Sequence, residues 1–208
     1  MVNKDLEFFK SLTDKKVIDR LSHGAVGALP TDTLYGIVCR AKSKAAVARL
    51  YDLKKPRDGK PGTIIAANIE QLVELGVKRR YLKAIEHLWP NKLSIILPLP
   101  PELDYLLLGL AGMPFRVVES GKLKDLLEKV GPLLTSSANR SGQSPAQNIK
   151  EIINYFGGKL DFYVDGGEIK NTSPSTIIRI VDDAIDIVRP GIVEIDEYGQ
   201  IKPKTRII

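Results

Sequence analysis

Cysteine and histidine are nearly missing from this chain. The single cysteine, Cys39, cannot close an internal disulfide or build a zinc quartet, so a reducing cytoplasm is the expected setting. The two histidines, His23 and His87, have no sequence support as a catalytic base, and no GxSxG elbow is present, which argues against a serine hydrolase. There is neither a GxxxxGK(S/T) loop nor a GxGxxG after a strand, so P-loop and dinucleotide folds are disfavoured. Aromatics make up only 6% and no RNP-type motif is found, thin support for a base-stacking surface. No apolar run approaches the ~20 residues a membrane span needs. The opening MVNKDLEFFKSLTDKK scatters charges and lacks a signal-peptide core.

What is present is an ordinary globular balance, with 43% hydrophobic and 27% charged residues over 208 positions. A chain of this length should bury roughly 70% of its unfolded surface and needs no staples. With no repeat or linker to divide it, one domain over residues 1–208 is expected. Lys and Arg total 31 against 25 Asp and Glu, a net charge of +6 that favours anionic partners without choosing between nucleotide and nucleic acid.

Periodicity predicts helices over residues 2–12 (Leu6, Phe9 and Leu12 on one side), from Thr13–Asp14 to Gly24, and from a Ser43 cap to about Lys54. Further helices are expected over 78–88, 121–130 and 148–156, the last ended by Gly157–Gly158. Short β-rich runs predict strands at 25–29, 63–67, 93–97, 115–118, in GPLLTSS before the Ser/Thr loop, and at 161–164. A final antiparallel pair, 175–180 and 184–188, turns at Asp182–Asp183. Alternation ending in a hairpin predicts an α/β or α+β fold around a mixed sheet.

Four clusters are too polar for their places. Pro30-Thr31-Asp32-Thr33-Leu34-Tyr35-Gly36, read as lying between a strand and a helix, offers hydroxyls and free N–H groups for a small anion or an amino acid; the bland reading is a Pro-initiated Asx turn. Lys54 to Pro61 carries Lys54, Lys55, Arg57 and Lys60, a mixture that suits phosphate or simply a solvated basic loop. Thr135 to Ser144 is dense in hydroxyls directly after the apolar GPLL, and can bond phosphate or ribose oxygens. Lastly, Asp165-Gly166-Gly167, Ser173-Pro174-Ser175-Thr176 and Arg189-Pro190-Gly191 contain good turns, but Arg189, like Arg116, sits beside apolar strand residues. A cation there wants an anionic partner, structural or ligand.

In this order the clusters resemble the YrdC/Sua5 family, the threonylcarbamoyl-AMP synthases, over roughly residues 13–193. PTDTLYG (30–36), AVARLYDLK (46–54), HLWP (87–90), TSSANRSG (135–142), STI (175–177) and RPG (189–191) carry the likeness. After Trp-Pro, where the family pattern has Gly-Pro-Leu-Thr, this chain has Asn91-Lys92-Leu93-Ser94. The resemblance implies a YrdC-like twisted mixed β-sheet flanked by helices, with a large basic concave cavity, in the short form of the family. It implies that L-threonine, bicarbonate and ATP are joined, usually with Mg²⁺, into L-threonylcarbamoyl-adenylate, releasing pyrophosphate. A separate threonylcarbamoyl-transferase complex would then modify adenosine 37 of tRNA; no membrane partner is implied, and weak tRNA binding fits the charge.

Carried over by motif, Thr31 and Thr33 would contact threonine and Arg116 its carboxylate. Lys54 and Arg57 would grip the ATP phosphates, with either Lys54 or Lys55 as the functional lysine. Thr135, Ser137, Asn139 and Ser144 would line the shared pocket, and Ser175 and Arg189 would close it. Lys54, Arg57, Ser137 and Asn139 form the expected catalytic set. No protein metal ligands are expected. Two alternatives remain: an RNA-binding module of the same fold, and a related carbamoyl-adenylate enzyme as in hydrogenase maturation, disfavoured because acylphosphatase and zinc-finger segments are lacking.

Overall fold

A computed structural model describes residues 6–55, 60–170, 173–182, 184–196 and 200–202. The strands are β1 (Phe8–Phe9), β2 (Gly27–Pro30), β3 (Tyr35–Arg40), β4 (Thr63–Ala66), β5 (Leu93–Leu97), β6 (Met113–Val117), β7 (Leu133–Ser137), β8 (Phe162–Val164), β9 (Thr176–Val181) and β10 (Ala184–Arg189). They form one ten-stranded mixed sheet in the order β1-β8-β2-β3-β7-β4-β6-β5-β9-β10. The helices are α1 (Lys15–Ser22), α2 (Lys44–Leu53), α3 (Ile69–Leu75), α4 (Arg79–Ile85), α5 (Lys122–Val130) and α6 (Ile149–Phe156).

Because successive strand residues point to opposite faces, the sheet divides its apolar side chains between two cores. Ala28, Ile37, Cys39, Ile64, Leu134 and Tyr163 pack with α2, α3, α4 and α6 on one side. Leu29, Val38, Ile65, Leu133 and Phe162 pack with α1 and α5 on the other. The caps follow the sequence rules: Ser43 accepts from the Ala46 N–H at the start of α2, and Asn148 accepts from the Glu151 N–H at the start of α6. Leu123, Leu126, Leu127 and Val130 are the buried face of α5, as their spacing predicts.

Three readings need correction. The described part of residues 2–12 is not a helix. Phe8 and Phe9 form β1 alongside β8, with the Tyr163 and Asp165 N–H groups donating to the Glu7 and Phe9 carbonyls. Its three apolar residues do not share a target either: Leu6 packs on one core, Phe9 and Leu12 on the other. PTDTLYG does not lead into a helix; it turns β2 back into β3, an antiparallel pair joining Pro30 to Tyr35. The helix expected over 78–88 stops at Ile85 and tightens into a 3-10 turn over Glu86–Leu88.

Candidate functional site

The core that faces α1 and α5 changes character toward one end of the central strands. On β4, Ile65 is apolar but Thr63, two residues away on the same face, is not; on β7, Leu133 gives way to Thr135 and then Ser137. Thr63 and Thr135 are paired, so the polar positions lie side by side. They floor a cavity of about 330 Å³.

Thr31, Thr33, Lys54, Arg116, Thr135, Ser137, Asn139, Ser175 and Arg189 all line this cavity. Elements far apart in sequence supply them: the β2–β3 turn, the end of α2, β6, β7 and its following loop, and the β9–β10 hairpin. Among the described residues the walls carry four cations, Lys54, Lys60, Arg116 and Arg189, and no carboxylate.

The turn is held by its own hydroxyls. Thr31 Oγ1 donates to the Leu34 carbonyl at 2.6 Å and lies 3.2 Å from Thr33 Oγ1. Asp32, within the same turn, accepts from Arg116 Nη2 at 2.7 Å. Arg116 is 3% exposed, so the structural carboxylate that its burial demands is Asp32. Yet Asp32 Oδ2 and Arg116 Nε have no partner. Burial lowers the Arg116 pKa from its ordinary value, and the Asp32 charge works the other way. Arg189 is also pushed down, first by burial and then by the positive charge of Arg116. Its Nη2 donates to the Ser175 carbonyl at 2.7 Å and to Ser175 Oγ at 3.1 Å, while its Nε is buried without a partner. Two guanidiniums that repel each other, each with an unused N–H, make a corner that an anion would relieve.

Lys54 crosses from the end of α2 to the β7 loop. Its Nζ donates to the Ser137 carbonyl at 2.9 Å, to the Asn139 carbonyl at 2.5 Å and to Asn139 Oδ1 at 3.0 Å. Ser137 Oγ donates to the same Asn139 Oδ1 at 2.6 Å. Of the two adjacent lysines only Lys54 lines the cavity: Lys55 is exposed and pairs with Asp52 at 2.7 Å. Ser144 also lies outside the lining and is exposed; its carbonyl accepts from the Tyr155 hydroxyl at 3.0 Å. Arg57 falls outside the described residues. Residues not singled out for the site, such as Thr63, Lys60, Ser141 and Gly142, line it too. All but Thr63 stood within the polar clusters already noted.

Glycine makes room for these walls. A Cβ on Gly62 would come within 2.5 Å of the Thr135 carbonyl oxygen, and one on Gly191 within 2.5 Å of the Ser175 carbonyl carbon. Among the described residues no group of three or more His, Cys, Asp or Glu could hold a metal. None of the helices there is long and apolar enough to cross a membrane.

A family model described as telomere recombination, built on Sua5, YciO and YrdC, matches residues 19–191. The chain belongs to the Sua5/YciO/YrdC family. The threonylcarbamoyl-AMP synthase of Wigglesworthia glossinidia brevipalpis is 32% identical over 177 residues, covering 79% of this chain and 91% of that protein. A crystal structure of P. abyssi Sua5 complexed with L-threonine matches with a TM-score of 0.77 at 25% identity, over 91% of this chain and 58% of that one. This chain therefore spans a little over half the length of that Sua5. E. coli YciO shares the fold, with a TM-score of 0.78 at 21% identity, 93% of this chain and 99% of YciO being covered. The mixed sheet described above is thus the Sua5/YciO/YrdC fold.

Proposed function

We propose that this cavity makes L-threonylcarbamoyl-adenylate from L-threonine, bicarbonate and ATP, releasing pyrophosphate, as the first step of t6A37 tRNA modification. The observation that carries it is the concentration of cationic and hydroxyl donors, with no carboxylate among the described lining residues, in one cavity of a chain similar to threonylcarbamoyl-AMP synthases. The L-threonine bound to the related Sua5 supports the amino-acid half of the reading.

The chemistry needs placement more than proton traffic. The threonine amine attacks CO₂, derived from bicarbonate, and loses a proton to give a carbamate. A carbamate oxygen then attacks the α-phosphorus of ATP, the bond from that phosphorus to the bridging oxygen breaks, and pyrophosphate leaves. Held cations and N–H donors offset the negative charge that develops, which suits walls of Lys, Arg, Ser, Thr and Asn. In this reading the Arg116–Arg189 corner takes the amino-acid carboxylate, and Thr31 and Thr33 flank the amino acid. Lys54, Lys60, Ser137 and Asn139 face the phosphates, and Arg57 belongs to the same basic stretch of sequence. Among the described residues the walls hold no carboxylate, and in this reading Mg²⁺ would come with the triphosphate. The adenylate would pass to a separate transferase complex in the cytoplasm.

The test is pyrophosphate release by the purified chain with ATP, bicarbonate and Mg²⁺, with and without threonine. Release that requires threonine, with the adenylate seen by mass spectrometry, supports the reading. Salt-sensitive tRNA binding with no pyrophosphate would instead indicate an RNA-binding module. Arg116→Ala should raise the KM for threonine by about tenfold or more, as loss of a charged hydrogen bond predicts; an unchanged threonine KM would remove Arg116 from that role.

A further inference from the structure

The Ser175–Arg189 corner rests on a residue that does not line the cavity. Ser94, within β5, is 0% exposed, and its Oγ lies 2.9 Å from Ser175 Oγ. Among the described residues this is the only hydrogen bond of the Ser94 side chain. The sheet register puts Ser94 opposite Ile177 on β9, and Ile177 opposite Arg189 on β10, so three strands fix the spacing of the group.

Counting hydrogens sets the direction of the bond. A serine hydroxyl has one hydrogen to give and two lone pairs to receive. If Ser175 were the donor, the Ser94 hydrogen would be buried with no acceptor among the described residues, which is unfavourable. If Ser94 donates, its hydrogen is satisfied. Ser175 Oγ then accepts twice, from Ser94 and from Arg189 Nη2 at 3.1 Å. Its lone pairs are used, and its own hydrogen has no acceptor among the described residues. Ser175 lines the cavity, so that hydrogen is left for the occupant.

We infer that Ser94 is a positioning residue: by donating to Ser175 it turns the Ser175 hydroxyl into a donor toward the cavity. With Arg116 Nε and Arg189 Nε also unpartnered, the corner adds this hydroxyl to two unused N–H groups, a match for a substrate carboxylate. This rests on the proposed threonine-dependent reaction.

Pyrophosphate release is measured against threonine and against ATP for the full chain and for Ser94→Ala, Ser94→Cys, Ser94→Thr, Ser175→Ala and the Ser94→Ala/Ser175→Ala double variant. Ser94→Ala should raise the threonine KM about tenfold and leave the ATP KM within about twofold. Ser94→Thr, which keeps the hydroxyl, should restore the threonine KM. In the Ser175→Ala background the Ser94 substitution should add less than about twofold, because its effect runs through Ser175. Equal rises in both KM values, or additive effects in the double variant, would reduce Ser94 to a packing residue and overturn the inference. If Ser94→Ala fails to fold, the same comparison is read from Ser94→Cys, a weak donor of similar size. An active wild type with an unchanged Ser94 variant defeats the inference alone, whereas a wild type that needs no threonine defeats the functional reading and the inference with it.

Discussion

Lys54 and Lys55 are adjacent, and only the way α2 ends separates their fates. Lys54 is the C-cap of α2 and reaches three acceptors on the β7 loop, while Lys55 turns to Asp52 on the surface. Lys54→Ala is expected to lower threonine-dependent pyrophosphate release by about 10²-fold, the usual cost of one lost donor in a charge-stabilising site, and Lys55→Ala by less than about twofold. Steady-state kinetics on both variants checks this, and equal losses would refute the assignment. From sequence the two could not be told apart, because side-chain direction at a helix end depends on the cap. Cys39 shows the opposite case, where composition already indicated a solitary thiol. Burial pushes its pKa up to about 12. The unfolded thiol ionises near 9 while the folded one stays protonated, so this group costs stability as pH rises from about 9 toward 12. At pH 8 a thiol reagent should label no cysteine in the native protein and one after denaturation.

At the scale of elements, spacing was a good guide where one face had one target. The apolar stripes of α2 and α5 each meet a single core, and both helices were legible. Residues 6–12 mimic a helical stripe, but the chain there is extended and splits its side chains between two cores. A two-residue strand, specified by its partner β8, leaves no periodic signal of its own. The β2–β3 turn was legible as a polar cluster but not as a hairpin, because its geometry comes from Thr31 bonds to Leu34 rather than from an Asn-Gly signal. Tyr35, at the start of β3, ties this turn to another: its hydroxyl donates to the Gly167 carbonyl at 2.7 Å and accepts from the Gly166 N–H at 2.9 Å. Tyr35→Phe should cost about 1–3 kcal/mol in denaturant unfolding through the groups left unpaired; a smaller loss would mean that water replaces the phenol. Gly191→Ala, which forces a Cβ against the backbone of Ser175, should raise the threonine KM more than the ATP KM.

Over the whole molecule, charge and topology were unequally visible. The net charge of +6 gave a sign but not a place. Among the described residues the structure gathers four cations around one cavity, and two of these, Arg116 and Arg189, were marked as candidates by their apolar sequence neighbours. Asp32 and Ser94 escaped notice as parts of the machinery because their meaning is a partner 84 or 81 positions away. A cavity with this charge should bind ATP several-fold more weakly when ionic strength rises from about 0.05 M to 0.5 M, as the Debye length contracts well below 10 Å. Titration at two salt concentrations measures it, and a salt-independent affinity would argue against phosphate contacts by these cations.

The span of those contacts has a consequence during synthesis. Lys54 meets Ser137 across 83 positions, Asp32 waits for Arg116, Ser94 waits for Ser175, and Ser175 waits for Arg189. On the ribosome the Arg189 guanidinium therefore stays apart from Arg116 until the β9–β10 hairpin emerges. Only then do mutually repelling charges have to be brought together, after most of the apolar framework that confines them has already been made.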